Sequence, residues 1–323
     1  MANYFKFIIA KLLILLISHT RKIKNKYKNK NNIKYTARYS QEIKFGVLMM
    51  IISMFNFSLM AILVKLLKHI PLMEVTIFRN LPSFLILPFI IKLNCLPFFG
   101  IDKLVLLLRA LFGFITTIGL IYTFMKMNLT DAMALRQLSP FIIVILSQLF
   151  LREKIRPNQL IIFSVAFVGA LLIIKPGFRS DMFPAIVGLI ATLSSSLAHI
   201  TLRKLRLTDH PLVIVYIFSI LSIIFSFTIL LVEDNFYFPN GVELLLLILT
   251  GLTGFFTQFT LSYAYRFASA NIVSIYIYSS VLFTAILDFI FFHEIPDYFS
   301  IIGCILIIIG GYIHSQNEIR IKN

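Results

Sequence analysis

Residues 113–122 read Gly-Phe-Ile-Thr-Thr-Ile-Gly-Leu-Ile-Tyr, and residues 254–263 read Gly-Phe-Phe-Thr-Gln-Phe-Thr-Leu-Ser-Tyr. Slid by 141 positions, the two stretches match without a gap at Gly113/Gly254, Phe114/Phe255, Thr116/Thr257, Leu120/Leu261 and Tyr122/Tyr263. The same register continues through Ser139/Ser280, Ile145/Ile286, Leu146/Leu287, Phe150/Phe291, Glu153/Glu294 and Gly169/Gly310. Leu and Ile coincide often in apolar sequence, but Gly, Tyr and Glu matches in one ungapped register mark an internal repeat. A looser match at slightly shorter offsets pairs Lys65 with Lys204, Pro71 with Pro211, Val75 with Val215 and Phe78 with Phe218.

Outward from this repeat, apolar runs alternate with short charged punctuation from Ile43 onward. The pattern predicts ten helices, at 43–66, 72–91, 104–125, 130–150, 158–175, 184–203, 211–232, 242–264, 270–292 and 298–315. Each is about the 20 residues that a bilayer core requires. Five helices per repeat is an odd number, so the second repeat enters the membrane from the opposite face. The expected fold is all-α and integral to the membrane, with ten transmembrane helices arranged as two inverted five-helix repeats, 43–175 and 184–315. A basic extension over 1–42 and a tail over 316–323 flank them. Inverted repeats suit alternating access, with a substrate held near mid-depth between the halves.

Composition agrees. Of 323 residues, 59% are hydrophobic and only 14% charged, and the mean hydropathy is +0.91. A soluble domain carries about 25% charged residues, so a large soluble domain is excluded. The net charge of +16 does not point to nucleic acid: 10 of the 30 Lys and Arg residues lie in the first 40 positions, which hold no Asp or Glu. Such a run is first a topology signal, and with Lys92, Lys103, Arg152, Lys154, Arg156, Arg203, Lys204, Arg206 and Arg266 it places both termini in the cytoplasm. The apolar stretch 5–18 precedes the basic run, the reverse of a cleavable signal. At about 14 residues it is short for a span and suits an interfacial helix. Residues 21–39, rich in Asn, Lys, Ile and Tyr, read either as a disordered segment or as AT-rich sequence translated from upstream of the start. Cys95 and Cys304 stand apart without a CxxC or Cys/His cluster, so neither a disulfide framework nor a metal site is indicated.

The stretch Leu108-Arg109-Ala110-Leu111-Phe112-Gly113, followed by Tyr122, Ala132, Ala134, Ser139-Pro140 and Arg152-Glu153-Lys154, resembles the EamA repeat of the drug/metabolite transporter superfamily. Gly169 and Lys175-Pro176-Gly177 continue that pattern, and Ala268-Ser269-Ala270, Glu294, Gly303 and Gly310-Gly311 match it again. Val281 departs from it at the proline position. The resemblance covers about 43–315 and implies ten helices, cytoplasmic ends and secondary transport of small organic solutes across a bacterial inner membrane. Layout and AT-rich character are similar to the rickettsial S-adenosylmethionine uptake transporters, which makes S-adenosylmethionine the first substrate to consider. Export of amino acids, drugs or other small metabolites is the alternative, and a channel a more distant one.

Polar residues inside the spans are where a binding site has to be built, because an ionisable group at depth is costly and faces the bundle interior or water. Arg79 lies about seven residues, or roughly 10 Å, into its helix. Arg136 is expected at similar depth, just before the Ser139-Pro140 break, where a proline removes a backbone donor and frees a carbonyl. Asp288 approaches the same layer and is a candidate for an ion pair or proton coupling. A spare guanidinium there takes a substrate carboxylate in a bidentate fork; the structural alternative is that Arg79 pairs with Asp288 or Glu74 only to hold the bundle.

Tyr122 and Tyr263 are repeat mates expected to face each other across the pseudo-twofold. Tyr276 and Tyr278 lie on opposite faces of one helix, so one of them, taken as Tyr276, lines the path. Gln258 and Asn271 complete the candidate substrate-binding set, and His199 is a second candidate for proton coupling. Ser194, Ser195 and Ser196 are read as packing positions. Glu153 and Glu294 read as architectural, Arg109 as a residue that snorkels to the inner face, and Gly113, Gly119, Gly251 and Gly254 as permitting close helix contacts. No GxSxG, HExxH or Walker loop is present, and no nucleotide-binding domain. A non-enzymatic carrier without a cofactor, partnered by a small-molecule substrate and the lipid bilayer but not by nucleic acid, is expected.

Overall fold

The computed structural model describes residues 33–126, 129–151, 157–174, 182–234, 236–292 and 298–320. Some side chains within these helices, Asp131 and Asp288 among them, fall outside the described set, as do Glu153 and Glu294. Every regular element described is helical: α1 (Ile33–Leu66), α2 (Leu72–Leu93), α3 (Lys103–Lys126), α4 (Leu129–Arg136), α5 (Ser139–Leu151), α6 (Pro157–Ile174), α7 (Met182–Leu205), α8 (Pro211–Glu233), α9 (Gly241–Phe267), α10 (Ala270–Val273), a 3₁₀ turn (Ser274–Tyr278), α11 (Ser279–Phe292) and α12 (Tyr298–Arg320).

Seven helical segments among the described residues are long and apolar enough to cross a membrane: Gln41–Leu66, Leu72–Leu93, Lys103–Lys126, Met182–Leu205, Pro211–Glu233, Gly241–Phe267 and Ala270–Leu287. Ser139–Leu151, Gln159–Leu172 and Ile301–Gly310 are apolar but shorter. Among the described residues, seven of the ten expected spans therefore meet this length and composition. One reason is local: the expected helix 130–150 is broken at Gln137–Leu138, ahead of Pro140, which cannot donate to the preceding turn.

The expected helix 270–292 is interrupted too, by the 3₁₀ turn Ser274–Tyr278. Subtracting 141 places that turn on residues 133–137, which end at the first break. Val281 stands where Pro140 stands in the first half, so the second break forms without a proline. Local sequence chemistry alone does not explain it.

Helix packing respects the repeat. α1 packs on α9 and α3 on α7, while α2 pairs with α8 and α6 with α12. Exchanging the two halves leaves this list unchanged. Small residues set the closest approaches: a Cβ on Gly46 would lie 2.9 Å from Ala268 Cβ, one on Gly119 2.6 Å from Ala191 Cβ, and one on Gly169 2.8 Å from the Gly303 carbonyl oxygen. Without a hydrophobic drive between helices in lipid, such contacts are what hold spans together. Large apolar side chains such as Phe89, Leu104, Ile161 and Val232 are exposed on the outside, as a lipid-facing surface requires.

The buried apolar side chains form two clusters rather than one. The first gathers Met50, Met54, Leu87, Leu205, Leu212 and Phe267, and the second Phe57, Met60, Leu67, Val75, Phe124 and Phe163. α1 leaves the first at Met54 and enters the second at Phe57. A polar layer lies at that boundary.

The turns at the two ends are tied by side chains. At one end His69 Nε2 lies 2.7 Å from Glu243 Oε1, and the Tyr237 hydroxyl donates to the same carboxylate at 3.0 Å. Asn240 and Glu243 form a capping box that starts α9. At the other end the Asp209 carboxylate accepts from the backbone N–H of Ile101 at 2.6 Å and of Asp102 at 3.2 Å. Gly100, at φ 65°, makes the turn that brings these amides over Asp209.

Candidate functional site

Both helix breaks open onto Ser280. The Arg136 guanidinium, from the last turn of α4, donates through Nη1 to Ser280 Oγ at 3.1 Å, and Gln137 Nε2 reaches the same oxygen at 3.5 Å. Ser280 is the repeat mate of Ser139, which meets Ser196 Oγ at 3.1 Å. Irregular backbone at membrane depth is tolerated where it is enclosed by protein or lines a cavity. Here it places a cation and several hydroxyls at the junction of the halves.

Two further arginines are buried beside it. Arg79 donates through Nη1 to Thr117 Oγ1 at 3.2 Å and through Nε to Met60 Sδ at 3.3 Å. Arg109 donates through Nη2 to Gln258 Oε1 at 2.9 Å. Their guanidinium carbons lie 6.0 Å and 5.1 Å from the centroid of one ring, Phe218. Arg136 stands 3.8 Å from the centroid of Phe57 and directs Nη2 towards Met54 Sδ at 3.7 Å.

All three arginines are at most 5% exposed. Their described partners are hydroxyls, an amide, thioethers and aromatic faces. The His69–Glu243 contact lies elsewhere, at one end of the bundle. Thioether sulfur is a weak acceptor for an ionised donor, so Met54 and Met60 occupy N–H positions that a carboxylate would fill better.

Among the described residues, Arg109 Nε and Gln137 Oε1 are buried without a hydrogen-bond partner, as are His199 Nδ1, Ser222 Oγ, Ser226 Oγ, Ser262 Oγ, Ser274 Oγ and the Tyr278 hydroxyl. Each such group costs of order 1–3 kcal/mol if it is never satisfied.

The site residues expected from sequence distribute unevenly. Arg79, Arg136 and Gln258 lie in this layer. His199 is 6% exposed and stacks on Tyr265 with centroids 5.1 Å apart. Asn271 is buried and accepts from Ser147 Oγ, a link between the second break and α5. Tyr276 is partly buried against both apolar clusters, and the neighbouring Tyr278 is the fully buried one. The Asp288 side chain lies outside the described residues.

Tyr122 and Tyr263 do not face each other. Tyr122 sits near the Lys126 end of α3 against Phe183, with centroids 6.1 Å apart. Tyr263 sits near the Phe267 end of α9 between Phe259 and Phe267. Repeat mates far from the middle of their helices are carried to opposite ends of the bundle.

Arg109 does not snorkel. It is six residues, about 9 Å of helical rise, from Lys103, and its guanidinium turns inward over Gly113 and Phe218. Glu74 is no partner of Arg79, since its carboxylate accepts from the Tyr237 N–H at 3.2 Å. Thr117, Phe218, Gln137 and Ser280 were not expected as site residues, and Tyr278 was set aside for Tyr276. The ungapped register around Ser139/Ser280 is the signal that marks Gln137, Ser280 and Tyr278.

Comparison with known proteins adds the following. The model of the EamA-like transporter family matches residues 44–175 and again 182–315. The pseudopaline exporter CntI of Pseudomonas aeruginosa is 30% identical over 271 residues, 83% of this chain and 95% of that protein. The S-adenosylmethionine uptake transporter of Rickettsia prowazekii is 26% identical over 237 residues, 73% of this chain and 80% of that protein. A crystal structure superposes with a TM-score of 0.74 at 14% identity, over 86% of this chain and 99% of the other, a likeness of fold alone.

Proposed function

The chain belongs to the EamA-like transporter family, and we propose that it is a secondary transporter carrying a small carboxylate-bearing metabolite across a bacterial inner membrane by alternating access. The observation that supports this most is the set of three buried guanidiniums, Arg79, Arg109 and Arg136, with only neutral described partners. An ionised group in low dielectric needs a counter-charge. A solute carboxylate supplies it when bound, and a guanidinium fork holds it in bidentate fashion.

Ten spans in two inverted repeats suit this reading. The seven long segments and the three shorter apolar helices number ten when counted together, as two five-helix repeats require, and the pairing of helices survives exchange of the halves. The polar layer lies between two apolar clusters, so opening one cluster at a time exposes the site to one side only. The excess of Lys and Arg in the loops on one side supports a cytoplasmic placement of both termini.

S-adenosylmethionine, the solute in the rickettsial relative's name, is the first compound to test. Its carboxylate suits the site, whereas its sulfonium adds a cation to a layer that already holds three. Export is the second reading, favoured by the exporter that is 30% identical.

Proteoliposomes of purified protein, loaded or not with unlabelled compound, test the reading directly. Trans-stimulated, saturable flux of a carboxylate-bearing solute, lost in Arg136→Ala, is the expected result. Flux that ignores both internal solute and Arg136 would refute it.

A further inference from the structure

The buried cations form two poles. Arg79 and Arg109 share the Phe218 ring, at 6.0 Å and 5.1 Å, and have Thr117 and Gln258 beside them. Arg136 has its own aromatic face, Phe57, at 3.8 Å, and its own hydroxyl, Ser280. The buried His199 ring stacks on Tyr265 with the planes 26° apart. Among the described residues the imidazole Nδ1 has no hydrogen-bond partner, and neither has Arg109 Nε at one pole nor Gln137 Oε1 at the other.

A single carboxylate answers one pole. Seated at one pole, it leaves the other with an uncompensated charge beside an aromatic ring and a thioether. Cation–π contact at a buried site recovers only part of what desolvating the ion costs. A second anionic group on the same solute removes that imbalance.

We infer that the solute carries two anionic groups, one received by Arg136 and Ser280, the other by Arg109 and Arg79 with Gln258 and Thr117, its middle lying along His199 and Tyr265. The inference rests on the carboxylate reading above and narrows it to dicarboxylates or their equivalents. Gly113 and Gly254 belong to the same construction, because a Cβ at either would fall on Arg109 or on Arg79.

The test uses the full chain in lipid nanodiscs, with the thermal unfolding midpoint followed as each ligand is titrated. The ligands are succinate, glutarate and adipate against butyrate, pentanoate and hexanoate. The best dicarboxylate is expected to half-saturate at a concentration at least tenfold below the monocarboxylate of equal chain length. Arg109→Gln and Arg136→Gln should each bring that ratio close to one, the dicarboxylate losing more affinity than the monocarboxylate. Arg109→Lys, which keeps the charge, should retain part of the preference and controls for folding. Equal affinity for mono- and dicarboxylates in the unaltered protein overturns the two-group inference and leaves the single-carboxylate reading standing. Failure of every carboxylate to stabilise the protein overturns both.

Discussion

Gly113 and Gly254, 141 positions apart in the repeat, each leave the space in which a buried arginine lies. A Cβ on Gly113 would strike Arg109 Nη1 and lie 2.7 Å from the Phe218 ring, and one on Gly254 would lie 2.8 Å from Arg79 Cγ. The motif that reveals the fold therefore also shapes the site. Gly113→Ala and Gly254→Ala should each reduce proteoliposome transport at least tenfold by displacing a guanidinium, for an overpacking cost of about 1–3 kcal/mol. Transport rate and unfolding midpoint measured together check this. Unaltered transport in both variants would show that the two arginines are not held to their positions.

Ser280 should tune affinity. It accepts from Arg136 at 3.1 Å and from Gln137 at 3.5 Å, and donates to the Ile277 carbonyl at 2.8 Å. Ser280→Ala removes the hydroxyl that aims the guanidinium, and a hydrogen bond to a charged group contributes about 1.5–3 kcal/mol. We expect KM to rise about tenfold or more with kcat little changed. Initial rates over a range of solute concentration separate the two parameters.

Much of this was legible in the sequence because it follows from composition and register. The apolar runs, the repeat and the buried cations Arg79 and Arg136 need no three-dimensional information. Gln258 was found as a polar residue inside a span. Arg109 was misread because depth was judged from the helix end, while the direction of its side chain is set by the room over Gly113. Tyr122 and Tyr263 were misplaced because register shows that residues correspond without showing that they meet. The 3₁₀ turn at Ser274–Tyr278 has no proline to announce it, and only the break in the other half points to it.

His210 provides a test of stability that does not depend on transport. Burial, with the Arg266 guanidinium adding to it, pushes its imidazole pKa down to about 4. The neutral ring accepts the Leu212 N–H through Nδ1 at 3.3 Å and so caps α8. The folded value lies below the ordinary one of about 6.5, so the unfolded chain binds more protons between the two. Stability is then lost as pH falls from about 6.5 towards about 4, by up to about 3 kcal/mol. His210→Asn keeps a capping acceptor and removes the titration. Its unfolding midpoint in detergent should fall less than that of the unaltered protein between pH 7 and pH 4; parallel curves would assign the acid lability to other groups.

The ties at the two ends of the bundle are themselves related by the repeat. His69 corresponds to Asp209 at the 140-residue offset, and Glu243 to Asp102 at 141. One end thus joins His69 to Glu243 at 2.7 Å, and the other joins Asp209 to the Asp102 N–H at 3.2 Å. Each tie links a turn of one repeat to a connection of the other, so in alternating access each must break when its own end opens. The two differ in chemistry: His69 is 47% exposed, whereas Asp209 is 3% exposed and also takes the Ile101 N–H. Removing one tie should therefore favour the conformation open at that end and leave the other end closed. Single cysteines placed just inside each end, on α1 near Leu63 and on α9 near Tyr263, report this through their rate of alkylation by a membrane-impermeant reagent. Glu243→Gln should raise the rate near Leu63 several-fold and lower it near Tyr263, and Asp209→Asn should do the reverse. Both rates rising together in either variant would mean that the ties hold the fold rather than the gates.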